Sequence, residues 1–272
     1  MYSERIAVLL TDMKQKLLSE MFVKKGYNAV AVAPDTLFHL ETADAAVFPL
    51  PLSRNGADVD FDGTAVSLDN VLSRMRRGAA VLGGYISPAV RQKTLDLGLN
   101  ITDYYENESL VSANALVTAE GAVEIALKNL DVALYSSKIL IVGYGRIAKF
   151  CARILKGFNA DITVAARKKE ARTAAALEGF SDIDISGIAE RIGDFDLLIN
   201  TVPSPVINKA ELDRVKNCFL LDLASKPGGI DFSYAKEKNI PFEWALALPV
   251  RTAYITATEI VFNTLEDIIG GK

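Results

Sequence analysis

Histidine occurs once in this chain, at His39, and cysteine only twice, at Cys151 and Cys218. With so few soft ligands there is no metal-binding spacing and no disulfide framework, which suits a reducing compartment. Both cysteines sit in apolar stretches, where a small buried thiol is expected. The single histidine also bears on chemistry. Dehydrogenases of 2-hydroxy acids move a proton with a histidine–carboxylate pair beside the nicotinamide. His39 lies in Phe38-His39-Leu40-Glu41, far in sequence from every loop suited to that task, so a surface or interdomain role is expected. Cationic excess is missing too: the net charge is −4, which argues against nucleic acid or an anionic membrane as partner. No apolar run is expected to span a membrane. The opening MYSERIAVLLTD reads as a strand, so secretion is not expected and a cytoplasmic location is.

What is abundant is apolar surface. Half of the 272 residues are hydrophobic, enough for a substantial core and for two compact domains. The organising stretch is Lys138 to Phe158, KILIVGYGRIAKFCARILKGF. Ile139 to Val142 suits a buried parallel strand. Gly143, Gly145 and Ala148 then give G-x-G-x-x-A spacing, and Ile147, Cys151, Ile154, Leu155 and Phe158 continue at helical period. Gly143 permits the tight turn, Gly145 lets a pyrophosphate approach the backbone, and Ala148 lets helix pack on strand. Arg146 and Ile147 open the helix, whose N-terminal N–H groups attract phosphate. With a second strand at Asp161 to Ala166, the context is that of a dinucleotide site.

The predicted fold is α/β, with two doubly wound domains and a cleft between them. Residues 1–115 alternate strand and helix: strands at Arg5–Leu10, Asn28–Ala33, Ala45–Pro49, Ala79–Gly83 and Leu99–Thr102, helices at Met13–Lys25, Leu68–Arg77 and from Pro88. Asp58 to Val66 is either a hairpin or an extended insertion. Ala113 to Leu127, alanine-rich and free of proline, predicts a long helix crossing between domains. Residues 116–253 form the Rossmann domain, with strands at Leu197–Thr201, Cys218–Leu223 and Ile240–Trp244, and helices at Lys169–Leu177 and near Lys209. A closing helix within 254–272 completes the first domain.

The end of the second Rossmann strand selects the cofactor. NAD sites usually place an acid there; this chain reads Ala165-Ala166-Arg167-Lys168-Lys169, with no acid before Glu170. Arg167 and Lys168 suit a 2′-phosphate, so NADP is expected. Asn200, Thr201, Val202 and Pro203 follow one strand and Leu223, Ala224 and Ser225 the next, and all are expected to meet the cofactor.

The runs INTVPSPVIN and LLDLASKPGGIDF, behind GYGRIAKFCARIL and with Asn114 to Gly121 entering the long helix, resemble the A subunits of bacterial dipicolinate synthase. The resemblance is strong from about Asn114 to Phe232. It implies NADP-dependent formation of pyridine-2,6-dicarboxylate from a hydroxy-tetrahydropyridine dicarboxylate in the mother cell of a sporulating bacterium, beside a flavoprotein-like B subunit. That family's tail usually carries G-L-P-G and later P-K-T-A; here the places read Ala247-Leu248-Pro249-Val250 and Tyr254-Ile255-Thr256-Ala257. A dicarboxylate substrate calls for cations, and Arg54 and Arg251, one from each domain, are its expected partners, with Thr118 and Thr252 as further contacts. A homo-oligomer is expected. Alternative readings are a shikimate- or methylene-folate-type dehydrogenase, although no lysine stands in a cleft-facing loop of the first domain, and a non-catalytic NADP-binding regulatory subunit.

Overall fold

The computed structural model describes residues 4–271; residues 1–3 and 272, the outer limits of the first expected domain, lie outside the described residues. The chain divides into two compact units. One runs through Asn114 and resumes at Tyr254; the other is Ala115–Ala253.

The elements of the first unit are β1 Arg5–Leu9, α1 Met13–Lys24, β2 Asn28–Val32, β3 Ala45–Val47, β4 Asp58–Phe61, β5 Thr64–Ser67, α2 Leu68–Ser73, β6 Ala80–Gly83, α3 Pro88–Asp96 and β7 Asn100–Asp103. Five strands form a parallel sheet in the order β2-β1-β3-β6-β7. Strand period puts Ile6 and Val8 on one face, in the cluster containing Leu18 and Phe22, and Ala7 and Leu9 on the other, with Leu68 and Val71. Both faces are covered, which is why β1 reads as a continuous apolar run. The stretch left open by sequence is a hairpin: β4 pairs antiparallel with β5, and Asp62 (φ 50°) and Gly63 (φ 92°) make the turn in left-handed backbone. The helix expected over Leu68–Arg77 ends at Ser73.

The second unit is reached along α4, Glu108–Asn129, which contains the division point. It continues with β8 Lys138–Val142, α5 Arg146–Gly157, β9 Asp161–Ala165, α6 Lys169–Leu177, β10 Ser181–Ile183, α7 Ile188–Arg191, β11 Leu197–Asn200, α8 Lys209–Leu212, β12 Phe219–Asp222, α9 Phe232–Glu237, β13 Phe242–Trp244 and α10 Leu248–Thr252. The last helix, α11 Tyr254–Ile269, belongs to the first unit, where Phe262 packs edge-on against Phe22 of α1 at 4.9 Å. Six parallel strands are ordered β10-β9-β8-β11-β12-β13, the doubly wound arrangement with its switch point beside β8. Ile139 and Ile141 pack with Ala148, Cys151 and Leu155 of α5; Leu140 and Val142 pack on the opposite face with Ile188 and Leu212. Sequence did not foretell β10, α7, α9 or α10, each six residues or shorter.

One expectation is corrected. Glu108–Asn129 is long and apolar enough to cross a membrane, with a window hydropathy of 1.4, but 56% of that window is buried inside the protein. Its alanines pack in the core: Ala119, Ala122 and Ala126 are fully buried.

Candidate functional site

Strand register builds the site. Val142 of β8 is paired with Ala165 of β9 and with Asn200 of β11, and Asn200 is paired with Asp222 of β12. Gly143, Ala166, Thr201 and Leu223 therefore leave the sheet along one edge, the carboxyl edge at which such sheets bind ligands. Gly143 takes φ +92°, and a Cβ there would lie 2.5 Å from Thr201 Oγ1 and 3.0 Å from Val202 Cγ2. Both the backbone and the crowding require glycine. Gly145 differs: it caps α5 at φ −82°, offers no side-chain cap, and a Cβ there would meet nothing within 4 Å. Open space thus stands over a helix N-terminus whose cap residue supplies no side-chain acceptor, a cradle shaped for pyrophosphate. Arg146 opens α5 from an exposed position, and Ile147 packs partly buried against the core.

Beside the cradle lies a cavity of about 410 Å³ lined by Gly143, Tyr144, Ala166, Val202 and Pro205 among others. Its only charged lining residues, among those described, are Arg167 and Lys168. Both are exposed, and no carboxylate among the described residues lies within ion-pair distance of either. Arg172, which sequence reading missed, braces their turn: its Nη1 donates to the carbonyls of Ala166 (2.8 Å) and Arg167 (3.2 Å) and to Asp184. The residues fit a dinucleotide carrying a 2′-phosphate.

The two strand-end loops are tied together from beneath. Asn200 and Asp222 are both fully buried. Asn200 Nδ2 donates to Asp222 Oδ1 (2.8 Å) and to the Val202 carbonyl (3.0 Å), while its Oδ1 accepts from Val202 N–H. Asp222 accepts from the N–H groups of Ala224 (2.8 Å) and Gly229 (2.7 Å). The Ala224 carbonyl accepts from Trp244 Nε1, and Leu223 N–H donates to the Asn200 carbonyl. Asn200 and Ala224, expected to touch the cofactor, thus have their polar atoms engaged in holding the loops. Thr201 Oγ1 likewise donates to the Val142 carbonyl. Val202 lines the cavity, whereas Pro203 and Ser225 are exposed on the loops. Asp222 was not foreseen; its place at the end of an apolar strand was the available signal.

The expected substrate contacts belong to both units. Arg54 belongs to the first unit and lines a cavity of about 340 Å³ there; it is exposed and has no ion pair among the described residues. Arg251 belongs to the second unit, where its Nη2 lies 3.0 Å from Glu243 Oε1. Thr252 donates to the Leu248 carbonyl (2.9 Å), and its side chain packs where a Cβ on Gly121 would come within 3.0 Å. Its hydroxyl proton is therefore engaged within α10 itself rather than free for a ligand. Thr118 is buried on α4. Ala247, in the place of the family's glycine, opens α10 at φ +56°. His39 lies in a short 3₁₀ turn with Nδ1 3.2 Å from Arg5 Nη2. A lysine the sequence reading passed over is Lys14, buried on α1; burial pushes its ammonium below its ordinary range, with Asp12 acting the other way.

A family profile, shikimate / quinate 5-dehydrogenase, matches residues 124–240. The A subunit of dipicolinate synthase from Bacillus subtilis (strain 168) is 30% identical over 166 residues, covering 61% of this chain and 56% of the relative. The matched stretch thus spans little more than half of that relative's length. Among solved structures, the dipicolinate synthase A subunit from Bacillus halodurans superposes with a TM-score of 0.87 at 23% identity, over 98% of this chain and 97% of that one. A transhydrogenase from Sinorhizobium meliloti gives 0.71 at 16% identity, over 98% and 94%. The resemblance to dipicolinate synthase A subunits therefore stands, and the two-unit α/β architecture is that of the solved A subunits.

Proposed function

We propose that this chain is an NADP-dependent oxidoreductase that forms pyridine-2,6-dicarboxylate from a hydroxy-tetrahydropyridine dicarboxylate, as the A subunit of a dipicolinate synthase. The observation that carries the cofactor is the cavity beside Gly145 whose only charged lining is Arg167 and Lys168, neither with a counter-ion among the described residues. A 2′-phosphate brings that missing anion, and a guanidinium holds it with paired charge-assisted bonds. The similarity to the dipicolinate synthase of Bacillus subtilis carries the substrate. A B subunit, self-association and a cytoplasmic location belong to the same proposal.

When bound, the dinucleotide supplies the hydride acceptor. The chain's own groups position and exclude. The N-terminal N–H groups of α5 hold the pyrophosphate, Arg167 and Lys168 the 2′-phosphate, and the Asn200–Asp222 clamp fixes both loops at the nicotinamide end. Arg54, exposed at the cavity of the first unit, takes a substrate carboxylate. The substrate loses water, then one hydride and one proton, and the ring becomes aromatic. Aromatisation supplies the driving force, so orientation and dryness are what the protein must provide.

Titration should show NADP bound more tightly than NAD, and Arg167→Ala should remove most of that preference, a loss of about 1–3 kcal/mol. Equal affinity of the wild-type chain for both would sink the cofactor assignment. The match to the shikimate / quinate profile supports a second reading, a shikimate-type dehydrogenase. NADPH formation from shikimate, with none from the hydroxy-tetrahydropyridine dicarboxylate, would select it. A non-catalytic subunit would bind NADP and turn over neither.

A further inference from the structure

The first unit contains a cavity that the dinucleotide does not need. It lies between the β1–α1 turn, the loop following β3 and the β4–β5 hairpin, with Thr11, Asp12, Arg54, Asp58 and Asp60 among its lining. The Asp62 N–H donates to the Thr11 carbonyl (3.2 Å), tying hairpin to turn. Thr11 is 8% exposed, and its Oγ1 has no hydrogen-bond partner among the described residues. In the first turn of α1, Gln15 is also fully buried, and both its amide atoms lack a partner among the described residues. Buried polar groups are normally satisfied, and an orphaned hydroxyl at a cavity wall, Thr11 Oγ1, indicates a group awaiting a ligand.

The charges define that ligand. Arg54 has no ion pair at its side of the cavity among the described residues, so an anion is wanted. A bare carboxylate, however, would also meet Asp12, Asp58 and Asp60. Asp58 accepts from Asn55 Nδ2 and Asp60 from Gly63 N–H, so each already faces a donor within its own turn. Asp12 caps α1 through Oδ1, accepting from Gln15 N–H at 2.8 Å, and its Oδ2 has no hydrogen bond among the described residues. We infer that this cavity binds a carboxylate adjacent to a protonated nitrogen, with Arg54 and Thr11 Oγ1 donating to the carboxylate and Asp12 Oδ2 accepting from the nitrogen. The ligand class is a cyclic α-amino or α-imino acid. The inference rests on the proposed function only in taking this ligand to be the substrate; the site itself rests on the cavity.

Two probes differ at one atom: cis-piperidine-2,6-dicarboxylate, whose ring nitrogen is protonated at neutral pH, and cis-cyclohexane-1,3-dicarboxylate, which has carbon there. Calorimetric titration of the full chain should show the piperidine bound at least about tenfold more tightly. Asp12→Asn keeps the helix cap and should bring the two affinities together. Arg54→Gln should weaken both by about tenfold. Thr11→Val should weaken both without lowering the melting temperature, because the hydroxyl it removes has no partner in the protein. Equal binding of the two probes, no binding of either, or wild-type affinity in Arg54→Gln and Thr11→Val each overturns the site. Failure of the proposed reaction is read separately. Probe discrimination without NADPH formation from the hydroxy-tetrahydropyridine dicarboxylate leaves the site and removes the reaction. NADPH formation with equal probe binding does the reverse.

Discussion

Asp222 shows how much a single side chain does here. It is fully buried, and its two oxygens gather the Asn200 amide and the N–H groups of Ala224 and Gly229. Glycine at 229 follows from that closeness, because a Cβ there would collide with Asn200 Nδ2 and lie 2.7 Å from the Val202 carbonyl. Replacing Asp222 by alanine strands three buried donors, and we expect a loss of about 3–5 kcal/mol in urea unfolding. A change under about 1 kcal/mol would mean that water substitutes for the carboxylate without loss. The exposed place of Arg167 was legible in the sequence because it comes from position, two residues past the end of β9, where an acid would otherwise stand. Asp222 was not. A lone aspartate in a string is ordinarily solvated, and only the register with Asn200 shows that it is not. Thr11 and Gln15 were hidden for the same reason, since nothing in a sequence announces a polar atom without a partner.

Among the elements, α5 opens on a position that tolerates a side chain. Its N-terminal Gly145 has φ −82°, accessible to any residue, and open space over it. Gly145→Val should therefore keep the melting temperature within a degree or two of wild type while abolishing NADP binding, as followed by calorimetry or fluorescence. Undiminished affinity in that variant would place the cofactor elsewhere. Long elements with clear periodicity, α1, α5, α6 and α11, were readable to within two residues at each end. Short ones were not: α7, α9 and α10 have four to six residues and carry no period. The hairpin β4–β5 could have been recognised, because Asp62-Gly63 between alternating residues is the strongest short-range hairpin signal. The charged Asp58 and Asp60 in its first strand masked the pattern.

At the scale of the whole molecule, both thiols lie in the second unit, buried, with burial pushing each up to about 12. They should be inert to a thiol reagent in the folded protein and react only when that unit opens. Saturating NADP should slow labelling about a hundredfold at a hundred times its dissociation constant, while ligands of the first unit leave the rate unchanged. Rapid labelling of either cysteine without denaturant would contradict the burial. The division of the chain has a further consequence. The second unit is one uninterrupted segment, whereas the first is assembled from both flanks, with Phe262 against Phe22 and Glu266 beside Lys25 and Tyr27. On a ribosome the inner segment emerges whole while the outer one still lacks its last helix. The nascent chain thus reverses the usual N-terminal-first order: the second unit can close early, and the first must wait for translation to reach α11.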